Sequence, residues 1–210
     1  MEPFCAPTYD AIWYLPKDFF NKKVNEPFIQ KIVSSVLDQT EWTPGDPVKF
    51  EPDYFCKGVP FEFTIASNSK KKNNFIQKFM NRSYSSDDVE EETFSYIAER
   101  IADKAQKTYS VSNVHLCVLC ILAMYDWVSD IHGSYTHNAV DFRLFFRKIK
   151  EEYIMTKKFS NIFIIFPDCC ATWWTYDVLT DCRKAYELTD TDISGGLIPY
   201  VMIKNAQNES

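Results

Sequence analysis

The sequence predicts a mixed α/β domain, a central mixed sheet flanked by helices. Three observations carry this. Amphipathic helical periodicity recurs along the chain, two apolar runs are of buried-strand type, and residues 53–66 alternate core and polar positions around a tight turn. With 210 residues, 46% hydrophobic and 16% aromatic content, the chain can bury a sizeable core. Only five glycines are present, and no Gly/Ser-rich or Pro-rich linker divides it. A single domain over residues 1–210 is expected, with a core at 26–124 and a further helix and strands at 125–204 added to the same sheet.

Taken in order, residues 26–38 place Phe28, Ile29, Ile32, Val33, Val36 and Leu37 on one helical face, with Asn25 as N-cap and Pro27 in the first turn. "WTPGDP" then breaks the chain before a short strand at Val48–Phe50. The stretch "PDYFCKGVPFEFTIA", residues 52–66, reads as a hairpin turning at Lys57-Gly58, which sets Cys56 opposite Val59, Phe55 opposite Pro60, Tyr54 opposite Phe61 and Asp53 opposite Glu62. Tyr54, Cys56, Phe61, Phe63 and Ile65 form its core face, which leaves Asp53, Glu62 and Thr64 on the other. A helix over Ser69–Asn81 would bury Phe75, Ile76, Phe79 and Met80. "DDVEEETFSYIAERIADKAQK" aligns Val89, Ile97, Ile101 and Ala105, and its acids gather where the helix dipole favours them. The run Val114–Met124 fits a buried strand or a buried helix, its first half favouring strand. Asp141–Tyr153 has helical spacing, 161–168 reads as a buried strand that 172–179 could join, and the tail after Lys204 is expected to fray.

Seven cysteines at irregular spacing point to reduced thiols and a cytoplasmic setting. Cys117 and Cys120 lack a knuckle, and on a strand their offset of three sends the sulfurs to opposite faces, so buried thiol is a better reading than zinc. No apolar run reaches the roughly 18 residues a membrane span needs, and the start lacks the basic and apolar segments of a signal peptide, so no membrane partner is expected. His115, His132 and His137 complete no metal set. Trp173, Trp174 and Tyr176 suit a core strand better than a base-stacking patch.

The formal charge of −6 is unevenly spread. From Phe63 to Ser86 there is no acid, and Lys70, Lys71, Lys72, Lys78 and Arg82 contribute five positive charges, which leaves −11 on the rest of the chain. Interleaved asparagines suit phosphate contact. Taken by itself, a charge run is more often a solvated helix face.

Two carboxylates directly opposite on adjacent strands repel unless a cation or a shared proton relieves them. A divalent metal is the most economical cation; Lys49, Lys57 or a water layer on an exposed sheet face is the bland alternative. With the pair unrelieved, Asp53→Asn should be neutral or slightly stabilising without metal.

The order helix, strand, hairpin strands, helices, strand, with Pro52-Asp53 and Glu62-Phe63-Thr64 at the hairpin, resembles the restriction-endonuclease-like PD-(D/E)XK superfamily over about half the chain. The resemblance implies a restriction-endonuclease-like core, with a helix before a three-stranded meander and a helix and a parallel strand after it. It implies a metal-dependent nuclease in which Asp53, Glu62 and the Phe63 carbonyl hold Mg²⁺ or Mn²⁺ beside a scissile phosphate. The motif lysine is replaced by Thr64, so a substitute is needed. Lys70 opens the nearest cluster and is the candidate catalytic lysine, with Lys71, Lys72, Lys78 and Arg82 as nucleic-acid contacts. An acid on the first helix sometimes completes such sites; Glu26 is the one available, although its position suits helix capping. The resemblance thus points to a nuclease, or a nuclease-derived protein, acting on DNA or RNA, in defence or mobile-element conflict. Two alternatives are an inactive binding module on the same fold and an acidic inhibitor or immunity-type protein that binds a protein partner.

Overall fold

The computed structural model describes residues 9–14, 21–38, 40–66, 86–120, 139–167, 172–187 and 200–205. Among these are nine strands and three α-helices: β1 (Tyr9–Tyr14), α1 (Lys22–Leu37), β2 (Trp42–Pro44), β3 (Tyr54–Cys56), β4 (Val59–Ala66), α2 (Ser86–Ala105), β5 (His115–Cys120), α3 (Ala139–Ile149), β6 (Asn161–Pro167), β7 (Thr172–Asp177), β8 (Cys182–Glu187) and β9 (Tyr200–Asn205). Strands β2 to β8 form one seven-stranded sheet in chain order, and β1 pairs antiparallel with β9 in a separate two-stranded ladder. The sheet is mixed. The ladders β2–β3–β4 and β6–β7–β8 are antiparallel, and the β4–β5 and β5–β6 ladders are parallel, with α2 and α3 in the intervening connections. This is the mixed sheet flanked by helices that the sequence predicts.

Both faces of the sheet are covered. On one, Phe28, Ile29, Ile32 and Val33 of α1 pack on Cys56, Phe61, Phe63, Cys117, Leu119, Phe163, Ile165 and Trp173. On the other, Ile97 and Ile101 of α2 and Phe146 and Ile149 of α3 pack on Ala66, Leu116, Val118, Ile162, Ile164 and Phe166. Each fully buried Leu, Ile or Phe contributes about 1.5–3 kcal/mol relative to exposure, so these two layers hold the fold. Cys117 and Cys120 belong to opposite layers, as a strand offset of three dictates.

The hairpin adopts the predicted register, Tyr54 opposite Phe61, Phe55 opposite Pro60 and Cys56 opposite Val59. Its two turn residues both take positive φ, 48° at Lys57 and 82° at Gly58, the pattern that matches strand twist in a two-residue loop. β7 pairs with β6, as expected.

Two local expectations need correction. The helix cap is Asn21, whose side chain accepts from Lys23 N, so the cap lies four residues before Asn25 and α1, starting at Lys22, carries Pro27 inside it. The strand expected at Val48–Phe50 is a 3-10 turn over Pro47–Lys49, started by the Asp46 side chain accepting from Val48 N and by Pro47 with its fixed φ. The strand lies earlier, at β2, where Pro44 is tolerated because β2 is a sheet edge. After α3 the chain runs on through a π-helical turn at Lys150–Ile154. The helix expected over Ser69–Asn81, with Lys70, Lys71, Lys72, Lys78 and Arg82, lies outside the described residues, as do His132 and His137. Among the described residues no helix is long and apolar enough to cross a membrane.

Candidate functional site

Asp53 and Glu62 are held by different devices. If the β3–β4 ladder continued past Tyr54 and Phe61, Pro52 would face Phe63 at a hydrogen-bonded site, where proline has no N–H to give. The strand stops there, and the Asp53 side chain takes over: its Oδ2 accepts from Phe63 N at 2.9 Å. Its Oδ1 accepts from Lys22 Nζ of α1 at 3.0 Å. Lys22 also lies 3.1 Å from Glu26 Oε1, one helical turn on, and Glu26 Oε2 accepts from the Tyr54 hydroxyl at 2.9 Å. Glu26 is therefore no capping residue. It is buried, and it ties α1 to the strand that follows Asp53.

Glu62 faces the other layer. Its strand neighbour in β5 is Leu116, under α2, and its side chain is only 1% exposed. The expected exposed sheet face does not exist here, because the C-terminal turn of α2 covers it. From that turn Lys104 donates to Glu62 Oε1, and Lys107 Nζ, just past the helix, reaches the same oxygen at 2.6 Å. A lysine in the last helical turn also suits the negative end of the helix dipole. Tyr109 OH lies 3.5 Å from the Lys104 carbonyl.

The two carboxylates are thus relieved by Lys22, Lys104 and Lys107. Lys49 and Lys57 take no part: Lys49 pairs with Asp46 at 3.4 Å, and Lys57 lies in the hairpin turn. Burial pushes the Asp53 carboxyl up, but the Phe63 N–H and the Lys104 and Lys22 charges outweigh it and hold it below the ordinary carboxylate value. Burial draws the Lys104 ammonium down, and Lys107 adds to that, against the opposing pull of Glu62 and Asp53. Lys22 is lowered by burial and raised more strongly by Asp53 and Glu26, so it stays charged. Burial followed by the Glu62 and Asp53 charges raises the Tyr109 phenol. Burial and the Glu26 bond push Tyr54 up to about 12. Both tyrosines are therefore donors at neutral pH.

Three carboxylates and three ammonium groups converge where α1, the start of β3, β4 and the end of α2 meet. Lys104 from α2 supplies an ammonium to Glu62. Sequence reasoning missed Lys22, Lys104 and Lys107. The one local signal was that Lys104 and Lys107 close the helix that follows the hairpin. Among the described residues, no group of three or more His, Cys, Asp or Glu side chains is arranged to hold a metal ion. Hard carboxylate oxygens are the donor type that Mg²⁺ takes, and one or two suffice. Asp53 and Glu62 offer oxygens of that type, and of the lysines that now hold them Lys22 and Lys107 are 68% and 50% exposed while Lys104 is largely buried with Glu62.

Other candidates fall to the core. His115 stacks on Phe61 at 5.1 Å, burial lowers its pKa, and its Nδ1 is buried without a hydrogen-bond partner. Trp173 is fully buried against Phe28, ring centroids 4.8 Å apart. Comparison with known protein families, known proteins and solved structures finds no match for this chain.

Proposed function

We propose that the protein is a metal-dependent nuclease, or a descendant of one, whose centre is Asp53, Glu62 and Lys104. One observation carries this reading. The lysine that the PD-(D/E)XK-like motif lacks at Thr64 has a counterpart in Lys104, which reaches Glu62 from the helix after the meander. The element order supports it: α1, the β2–β3–β4 meander, α2, then β5 parallel to β4.

Asp53 and Glu62 would hold Mg²⁺ or Mn²⁺. Such an ion supplies an activated water at neutral pH and neutralises phosphate charge. The chain's own groups do the rest. Lys104, drawn below its ordinary pKa by burial, places an ammonium where charge develops on phosphoryl oxygens. The Phe63 N–H fixes Asp53 and the Tyr54 hydroxyl fixes Glu26 beside it, so these carboxylates are preorganised. The six charges balance, and a divalent cation would make the site net positive toward a phosphodiester. Incubating the protein with labelled DNA and RNA in Mg²⁺, Mn²⁺ or EDTA tests this. Metal-dependent cleavage that falls at least about 100-fold in Asp53→Asn and Lys104→Met supports it; intact substrate in every metal overturns the enzymatic reading.

A second reading is an inactive binding module on the same fold. It is favoured by the same ion network, because three lysines already neutralise three carboxylates. Under it the site accepts no divalent cation.

A further inference from the structure

The loop between β2 and β3 is built to present two apolar side chains to solvent. Val48 is 84% and Phe50 68% exposed, while the backbone beneath them is tied down. Asp46 accepts from Val48 N with its side chain and from Lys49 N and Glu51 N with its carbonyl. Glu51 Oε2 in turn accepts from Asp46 N at 2.8 Å. The loop's acids are thus spent inside it, Asp46 also sitting 3.4 Å from Lys49. At the neck, Gly45 N donates to the Asp53 carbonyl at 3.0 Å, and a Cβ on Gly45 would stand 1.9 Å from the Pro52 carbonyl oxygen. Phe50 has φ of 57°, a left-handed conformation uncommon for an aromatic residue.

The loop is anchored to the site at both ends. Its neck is Asp53 itself. Its tip is held by Ser110 N donating to the Phe50 carbonyl at 2.9 Å, next to Tyr109 and three residues after Lys107. A rigid turn with Phe50 in the left-handed region that exposes its ring next to Lys49, itself 70% exposed, is a poor core element. Two side chains are also far less than the roughly 800 Å² per partner of a stable protein interface. One ring with flanking cations suits a strand whose bases are unpaired: bases stack on the aromatic face and phosphates meet the lysines.

We propose that Phe50 is a stacking platform for an unpaired nucleobase of the nucleic acid held at Asp53 and Glu62, with Lys49 and Lys107 on its flanking phosphates. The proposal rests on the nuclease reading and adds a preference for single-stranded substrate.

Fluorescence anisotropy with a labelled single-stranded oligonucleotide and the matching duplex, both in EDTA, tests it on the full chain. Phe50→Ala should weaken single-strand binding by roughly 5- to 150-fold and leave the duplex nearly unchanged. Phe50→Trp should retain affinity, its indole fluorescence quenched by the oligonucleotide, and Lys49→Ala should reduce the salt slope by about one phosphate contact. Thermal melts of each variant control for folding. Wild-type single-strand affinity in Phe50→Ala, or an equal loss on the duplex, overturns the stacking assignment while metal-dependent cleavage by the wild type would leave the nuclease reading standing. A wild type that neither binds nor cleaves removes both. A dimer in sedimentation velocity that Phe50→Ala dissolves would assign the loop to a second copy of the chain and overturn the proposal.

Discussion

Lys104 donates to Glu62 Oε1 across 42 residues of chain, joining the last turn of α2 to the strand at the middle of the candidate site. Glu62 is almost fully buried and shares that oxygen with Lys107 as well. One buried anion therefore compensates two cations, Lys104 largely buried with it and Lys107 half exposed.

Removing that anion should be costly. Glu62→Gln leaves Lys104 half-compensated and buried, and breaking one partner of such a pair costs about 3–5 kcal/mol. Urea denaturation should show it. The double variant Glu62→Gln with Lys104→Met should recover more than about 1 kcal/mol of the summed single losses, because an apolar side chain replaces the stranded ammonium. Additive losses would mean that the two residues do not interact.

Asp53 should shape acid stability. Its folded pKa is depressed below the unfolded value of about 3.9, so the stabilisation it gives is fully present above that value. It is lost as pH falls through the folded pKa, since the unfolded chain takes up the proton first. Asp53→Asn should flatten this part of the acid-unfolding profile. At neutral pH it should cost about 1–2 kcal/mol, and Asp53→Ala should cost more, because Asn keeps an acceptor for the Phe63 N–H and Ala leaves that donor empty. The sequence alone suggests the opposite sign for Asn, because repulsion between opposed carboxylates is visible there and the three relieving lysines are not.

How much of the site was legible follows from distance along the chain. The hairpin register needed only the Lys57-Gly58 turn and an alternating pattern, both local, and it holds for Tyr54, Phe55 and Cys56; the expected pairing of Asp53 with Glu62 on an exposed face does not, because the ladder ends at Tyr54 and α2 buries Glu62. α2 announced itself through Ile97, Ile101 and their acidic first turn. Lys104 and Lys107 could not be picked out, because a basic residue at a helix end already has a sufficient reason in the dipole. Lys22 was hidden by Pro27, which reads as a first-turn proline and so delays the expected start of α1. β8, "CRKAYE", offers no apolar alternation, being an edge strand with charges that guard it. Phe50 looked like a strand residue; only the Asp46 cap and the Gly45 neck show that it is turned outward.

The neck of the Phe50 loop should be intolerant of a methyl group. Gly45→Ala forces a Cβ against the Pro52 carbonyl, a backbone atom with little room to yield, and should destabilise the protein by about 1–3 kcal/mol. Gly58→Ala meets no atom within 4 Å, so its cost comes only from a φ of 82° and should be about 1 kcal/mol. Thermal melts of the two variants should rank in that order. The reverse ranking would mean that the loop relaxes freely around residue 45, and a rigid platform for Phe50 would go with it.

Metal linkage separates the active reading from the inactive one without relying on catalysis. A divalent ion at a hundred times its dissociation constant adds about 2.7 kcal/mol to the native state. At roughly 2–4 °C per kcal/mol for a domain of this size, Mn²⁺ should raise the wild-type Tm by roughly 5–11 °C. Asp53→Asn should abolish the shift, since it removes one of two donors. Lys107→Ala is the more telling variant. It withdraws an ammonium that competes for Glu62 Oε1 while leaving Lys104 in place, so it should enlarge the shift or lower the Mn²⁺ concentration that produces it. If the six charges form a closed structural network, none of the three proteins should respond to Mn²⁺, and Lys107→Ala should only lose stability. An enlarged shift in Lys107→Ala together with none in Asp53→Asn is a pattern that the closed network does not produce.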